Sequence, residues 1–139
     1  MLEVDAAKGK AQDYHITYFD CGGQDAYRPG NAWFMTPLSV ALILVDLQRL
    51  AQDASHIDKL IAWVKDFSLH TPKSPMMLVA THADKCQPGI AKEQDKRLRL
   101  VFENTAYWKR FVMPKSGELC FFLVDNTKAN DGGIVQIRE

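Results

Sequence analysis

The apolar residues of this chain fall into short unbroken runs, and between them lie stretches with a three-to-four-residue period. Ser39–Leu47 reads SVALILVDL, Pro75–Thr81 reads PMMLVAT and Glu118–Asp125 reads ELCFFLVD. Each run is bounded by turn residues and lacks alternation, the pattern of a strand covered on both faces in a parallel sheet. Tyr14–Asp20 has a weaker, mixed strand pattern, and Leu2–Ala6 reads as an edge-like strand. Between the runs, Ile57, Leu60, Ile61, Val64 and Phe67 mark one face of a helix. Ser55 and Asp58 are spaced as a capping box, with Asp replacing the usual Glu, and Pro72 marks the stop. A second helix is predicted over Lys92–Tyr107, with Leu98, Val101 and Phe102 inward, and Ile134 and Ile137 begin a last one. Strand and helix thus alternate. That order predicts an α/β fold with right-handed crossovers: an open, mostly parallel sheet with helices on both faces.

Length and charge narrow the picture. The 139 residues suit one domain and leave no room for two. Seventeen Lys plus Arg balance seventeen Asp plus Glu, so no electrostatic case exists for nucleic acid or an anionic membrane. Cys21, Cys86 and Cys120 are odd in number and form no CxxC pair, so they read as free thiols of a reducing compartment. The start, Met-Leu-Glu-Val-Asp, has no signal-peptide pattern, and the longest strongly apolar run, Val40–Val45, is far too short for a transmembrane segment. A cytoplasmic location is the expectation.

Ligands of open α/β sheets bind beyond the carboxyl ends of the strands. Those ends carry Asp20-Cys21-Gly22-Gly23-Gln24, then Asp46, then Thr81-His82-Ala83-Asp84-Lys85, then Asp125-Asn126-Thr127-Lys128. A carboxylate at Asp20 followed by two glycines suits a metal–phosphate site. The Asp can hold Mg²⁺ through water, and the Gly22 and Gly23 backbones can approach a phosphate closely. Gln24 stands where an amide can orient an attacking water. A plain strand-to-turn junction uses the same residue types. Asp84 can accept two hydrogen bonds from a guanine edge, with the Lys85 stem along the base plane. A solvated Asp-Lys turn is the alternative, and His82 reads as a loop or capping residue. Asn126 and Thr127 can bring backbone N–H groups to a base carbonyl, or can simply be a loop after a strand. Asp46 ends its strand as the phospho-acceptor of a receiver-like domain would, but the acidic cluster expected after the first strand is not seen.

Order ties these clusters together. Tyr18-Phe19-Asp20-Cys21-Gly22-Gly23-Gln24-Asp25-Ala26-Tyr27 resembles the W-D-F-G-G-Q-E-x-Y element of Roc (Ras of complex proteins) domains. Leu78-Val79-Ala80-Thr81-His82-Ala83-Asp84 resembles their V-x-T-H-x-D. This Thr-His form replaces the N-K-x-D of other small GTPases and is found in leucine-rich-repeat kinases and death-associated protein kinases. The resemblance covers nearly the whole chain, from about Leu2 onward.

The resemblance implies a GTP-binding, GTP-hydrolysing switch domain with GTP/GDP and Mg²⁺ as its ligands, set in a larger multidomain signalling protein. Asp20 would serve Mg²⁺, Gly22 and Gly23 the γ-phosphate, and Gln24 the catalytic water. Asp84 would read guanine, with Thr81, His82 and Lys85 around it and the loop at Asn126 and Thr127 beside the base. Residues 24–36, with Tyr27, Arg28 and Trp33, would form the mobile switch, although Tyr27, Trp33 and Phe34 also suit a short helix packed on the sheet. Adjacent COR-like, kinase or repeat domains and a homodimer are the partners it suggests. One part of the family pattern is missing: G-x-x-x-x-G-K-[ST] occurs nowhere in the sequence. Lys8-Gly9-Lys10-Ala11 comes nearest and reads as a hairpin or loop. The expectation is a Roc-type domain over residues 1–139 that lacks the first strand, phosphate loop and first switch. Its sheet would carry a seam and its nucleotide affinity would be low. A pseudo-GTPase or truncated module that binds proteins without turnover is the alternative.

Overall fold

The computed structural model describes residues 2–3, 17–22 and 28–138. The chain forms two compact units, Met1–Met35 and Thr36–Glu139. In the first, β1 (Leu2–Glu3) pairs antiparallel with β2 (Thr17–Tyr18), Leu2 opposite Tyr18. A helical turn, α1 (Arg28–Asn31), leads into a 3-10 turn over Ala32–Phe34. Phe34 stacks on Phe19 with ring centroids 4.8 Å apart. The expected burial of Trp33 and Phe34 against a sheet is not what the fold shows. Trp33 is 87% exposed and Phe34 finds an aromatic partner instead. The Lys8–Ala11 hairpin and the remainder of the two predicted strands up to Ile16 lie outside the described residues, as does Tyr27.

The second unit is built on three parallel strands in the order β3 (Ala41–Asp46), β4 (Met76–Thr81), β5 (Phe122–Leu123). The α/β expectation holds, with helices on both faces. On one face, Val79, Phe122 and Val124 form a cluster joined by Met77 and by Ile134 and Ile137 of α5 (Gly132–Arg138). Met76, Leu78 and Ala80 alternate to the other face and are buried. There the Ser68 hydroxyl of α3 (Ser55–His70) reaches the Met76 sulfur at 4.0 Å. Leu60, Val64 and Phe67 of α3 are buried at the predicted helical spacing, and so are Leu98 and Phe102 of α4 (Ile90–Phe102). Gly133 lets α5 close on β5: a Cβ there would lie 2.0 Å from the Leu123 carbonyl oxygen. Asp131 caps that helix by accepting from the Gly133 and Ile134 amides.

Five expectations need correction. First, β3 is not covered on both faces: Leu42 and Leu44 are exposed while the other residues of the strand are half-buried. Second, the strand turns directly into an unforeseen helix, α2 (Leu47–Gln52), because the Asp46 carboxylate caps the Arg49 amide at 3.1 Å. Third, the capping box is absent. The Ser55 amide and hydroxyl both turn to Asp53, at 2.8 Å each, in a local Asx-type turn. Fourth, the run Glu118–Asp125 yields a ladder only at Phe122–Leu123. Upstream, the Cys120 amide is committed to the Asp95 carboxylate on α4 at 2.6 Å instead of to a neighbouring strand. Fifth, α4 covers Ile90–Phe102, not Lys92–Tyr107, since Thr105 closes its end by bonding the Phe102 carbonyl through amide and hydroxyl.

Candidate nucleotide site

The loop after β4 is fixed before its functional side chain is reached. Thr81 is buried, and its hydroxyl donates to the Val45 carbonyl at 3.2 Å, tying the end of β4 to β3. The same hydroxyl lies 3.2 Å from His82 Nδ1. His82 adopts φ 60°, the one non-glycine residue in the left-handed region among the described residues. Such a conformation costs about 1 kcal/mol or more for a side chain with a Cβ and persists only where neighbours hold it. Asp46 Oδ2 lies 3.4 Å from His82 Nδ1, where a protonated imidazole would pair with it. Past this reversal the chain forms a tight 3-10 turn over Ala83–Lys85, with the Lys85 amide donating to the His82 carbonyl at 3.1 Å. The Ala83 amide donates to the Val124 carbonyl at 3.4 Å, which fastens the turn to the end of β5. His82 is therefore a pinned loop residue that makes no capping bond.

Asp84 sits on this turn, exposed, and no hydrogen bond to its carboxylate is made among the described residues. Other acidic groups nearby are spent on structure. Asp46 caps α2 and pairs with His82 and Arg49, so it is not presented as a receiver-type acceptor. Asp125, buried at the end of β5, accepts from the Thr127 amide at 2.9 Å and hydroxyl at 2.5 Å, and pairs with Lys128 at 2.8 Å. The Lys128 contact first, and then the two Thr127 bonds, pull the Asp125 carboxyl down to about 2. The Asp125 hydrogen bond and charge chiefly keep Lys128 charged, with smaller contributions from Asp131 and from Asp84 across the loop after β4. The Thr127 and Lys128 amides are both consumed within the β5 loop. That leaves exposed Asn126, with its amide unbonded among the described residues, as the donor this loop can offer.

Asp20, Cys21 and Gly22 are all exposed. Among the described residues the buried Asn31 side chain donates to the Gly22 carbonyl at 3.1 Å. Partial burial, and then the Asp20 charge, push the Cys21 thiol up. Gly23 and Gln24 lie outside the described residues. Among the described residues no three ligating side chains gather around a metal position. A lone carboxylate suits Mg²⁺ nonetheless, since that ion keeps waters and takes most other ligands from phosphates. The roles of Asn31, Asp46, Asp125 and Lys128 were not apparent in sequence. The signals available were the Asp-x-Thr spacing of an Asx turn at Asp125 and the Asp-x-x-Arg spacing of a helix cap at Asp46.

Comparison with known proteins bears on both clusters. The family model described as "Ras of Complex, Roc, domain of DAPkinase" matches residues 1–84, ending on Asp84 itself. The chain is also 27% identical over 90 residues to "Probable serine/threonine-protein kinase pats1" of Dictyostelium discoideum. That alignment covers 65% of the chain but only 3% of the relative's length. No solved structure gives a significant match. The β5 loop with Asn126 and Thr127 lies beyond the family match and stands on its geometry alone.

Proposed function

Since the chain belongs to the Roc family, we propose that it serves as a guanine-nucleotide-binding switch region within a larger multidomain signalling protein. The observation that carries this reading is Asp84: an exposed, unbonded carboxylate on a turn that His82, Thr81 and the Val124 carbonyl hold in place. Its two oxygens suit the paired N–H donors of a guanine edge. Adenine lacks that pair, and charge-assisted bonds of this type contribute about 1.5–3 kcal/mol each. Lys85 covers the base plane with its alkyl stem, and the Asn126 amide is the donor for the base carbonyl. Thr81 and His82 act by positioning.

Asp20 would hold Mg²⁺, Gly22 and Gly23 would offer backbone N–H groups to the terminal phosphate, and Gln24 would orient an attacking water. When bound, the ion neutralises charge on the phosphates. Affinity in the chain as given is low, because the sequence contains no G-x-x-x-x-G-K-[ST] and so lacks that nest of N–H groups and its lysine. The domain reading extends over residues 1–139, and the setting is cytoplasmic. Adjoining COR-like, kinase or repeat domains are its partners. No helix among the described residues is long and apolar enough to cross a membrane. Exposed Trp33 favours a second reading, a protein-binding module without turnover. The deciding experiment is Asp84→Asn in a full-length parent with base selectivity as the readout. Preference should move from guanine toward xanthine, and unchanged selectivity would remove Asp84 from its role.

A further inference from the structure

The apolar residues around β5 do not by themselves choose its alignment on β4. Cys120, Phe121, Phe122 and Val124 are all buried and Leu123 is half-buried, with no polar residue among them. The ladder to β4 is two residues long, Val79↔Phe122 and Ala80↔Leu123. Shifting a strand by one residue exchanges its two faces. Here Phe121 and Leu123 would take the α5 face from Phe122 and Val124, apolar for apolar. The backbone bonds are equally indifferent. The Val124 amide donates to the Ala80 carbonyl at 2.8 Å and its carbonyl accepts from Ala83, and any residue of the run would bring the same two groups there.

One contact is selective. Asp95 is a buried carboxylate on α4, and its Oδ1 accepts from the Cys120 amide at 2.6 Å. The Cys120 thiol bonds the same carboxylate. Burial first, and then that bond, push the thiol up to about 12, so it stays a donor. From the other side, Asp95 Oδ2 accepts from Arg99 Nε at 2.8 Å, and the Arg99 guanidinium lies 5.7 Å from the centre of the Trp108 ring. Leu119 and Phe121, the residues that a one-residue shift would bring to Asp95, carry no side-chain donor. Either would set an apolar side chain against a buried charge, which costs far more than exchanging apolar neighbours.

We infer that Asp95 and Cys120 form a register lock: the acid on α4 recognises the one residue of Leu119–Val124 that offers both an amide and a thiol, and so selects a single alignment of β5 on β4. Fixing register is the best-attested use of a buried polar group. Asp95 is thereby a positioning residue for the loop after β5. Residues along a parallel strand are about 3.3 Å apart, so a one-residue shift would carry Asn126 about that far from its place beside the Ala83–Lys85 turn. That consequence for base reading rests on the guanine reading of Asp84; the lock itself does not.

The test is nuclear magnetic resonance on the 139-residue chain without nucleotide. The native chain should give one set of Val124–Lys128 amide signals and a Val79–Phe122 cross-strand contact. Asp95→Leu removes both Cys120 bonds and should lower the preference for this register about tenfold or more, the worth of a bond to a charged group. A second set of signals should appear, with Val79 in contact with Phe121 or Leu123. Asp95→Asn keeps an acceptor oxygen and should hold one set. A second pair covers the case in which Asp95→Leu does not fold: Cys120→Ala, which loses only the thiol, should show the second set, and Cys120→Ser, which keeps a donor, should not. A merely structural contact would lower the melting temperature and leave one register. A single Val79–Phe122 set in Asp95→Leu, or in Cys120→Ala where Asp95→Leu is unfolded, would therefore overturn the lock, as would conservative variants that rescue nothing. Register is read without nucleotide, so a native chain that ignores GDP counts against the guanine reading alone.

Discussion

Two aspartates, Asp20 and Asp84, both follow strands and are both exposed, yet their described surroundings differ. Behind Asp84 stand the Thr81 bond to Val45, the Asp46–His82 pair, the left-handed His82 backbone and the Ala83 bond to Val124. Behind Asp20, among the described residues, stand the β1–β2 pairing, the Phe19–Phe34 stack and one side-chain bond, from Asn31 to Gly22. A base-reading group gains from being held still in advance, because the ordering entropy is then spent in folding and not in binding. A phosphate-reading loop in a switch gains from the opposite arrangement, since its order is what the γ-phosphate supplies.

Disturbing the frame behind Asp84 should have the largest effect. Gly133→Ala forces a Cβ into the Leu123 carbonyl and should cost about 1–3 kcal/mol in urea unfolding, by the usual penalty for overpacking. It should also move the amide signals of Val124–Lys128 while those of Asp20–Gly22 stay put. Asp46→Ala removes both the α2 cap and the partner of His82 and should cost about 1 kcal/mol. Asp46→Asn keeps a good cap and loses only the charge. It should therefore restore most of the stability while leaving the Ala83–Lys85 signals shifted. Equal behaviour of the two variants would mean that the His82 pair holds nothing.

Acid offers a finer separation. The Asp125 carboxyl sits at about 2 when folded, below its ordinary 3.8, so it favours the folded loop above pH 3.8. That contribution should fade as pH falls from 3.8 through about 2. The Thr127 amide signal reports it, and a midpoint near 3.8 would show that the Lys128 and Thr127 contacts are not made in solution. Thiol labelling should give the mildest contrast. Cys21 is exposed and should react first, ahead of half-buried Cys86. Cys120, buried and pushed up to about 12 chiefly by that burial, should react only on unfolding.

Sequence patterns reached the parts of this molecule that depend on local order. The α3 face was legible because Ile57, Leu60, Val64 and Phe67 repeat at the helical period and all four are buried. β4 was legible because an unbroken apolar run does match a central strand, buried at every position but Met77. The same logic failed for β3, whose run is just as apolar, since a run cannot say whether a neighbour covers it. It failed again at Cys120, where a side chain on α4 takes the backbone donor a ladder would need. In the candidate site, Asp84 was visible through the spacing Thr-His-x-Asp. The hold on its loop was not, because Asp46 meets His82 only once β3 and β4 lie side by side.

The central claim is that the loops after β4 and β5 form a ready guanine-reading surface. The most direct check is an amide-resolved titration of this chain with Mg²⁺·GDP and, separately, Mg²⁺·ADP. The account expects GDP in the millimolar range to shift the Ala83, Asp84, Lys85 and Asn126 signals, ADP to leave them in place, and Asp84→Asn to silence the GDP response. Matching shifts from both nucleotides, or a GDP response that survives Asp84→Asn, would contradict it.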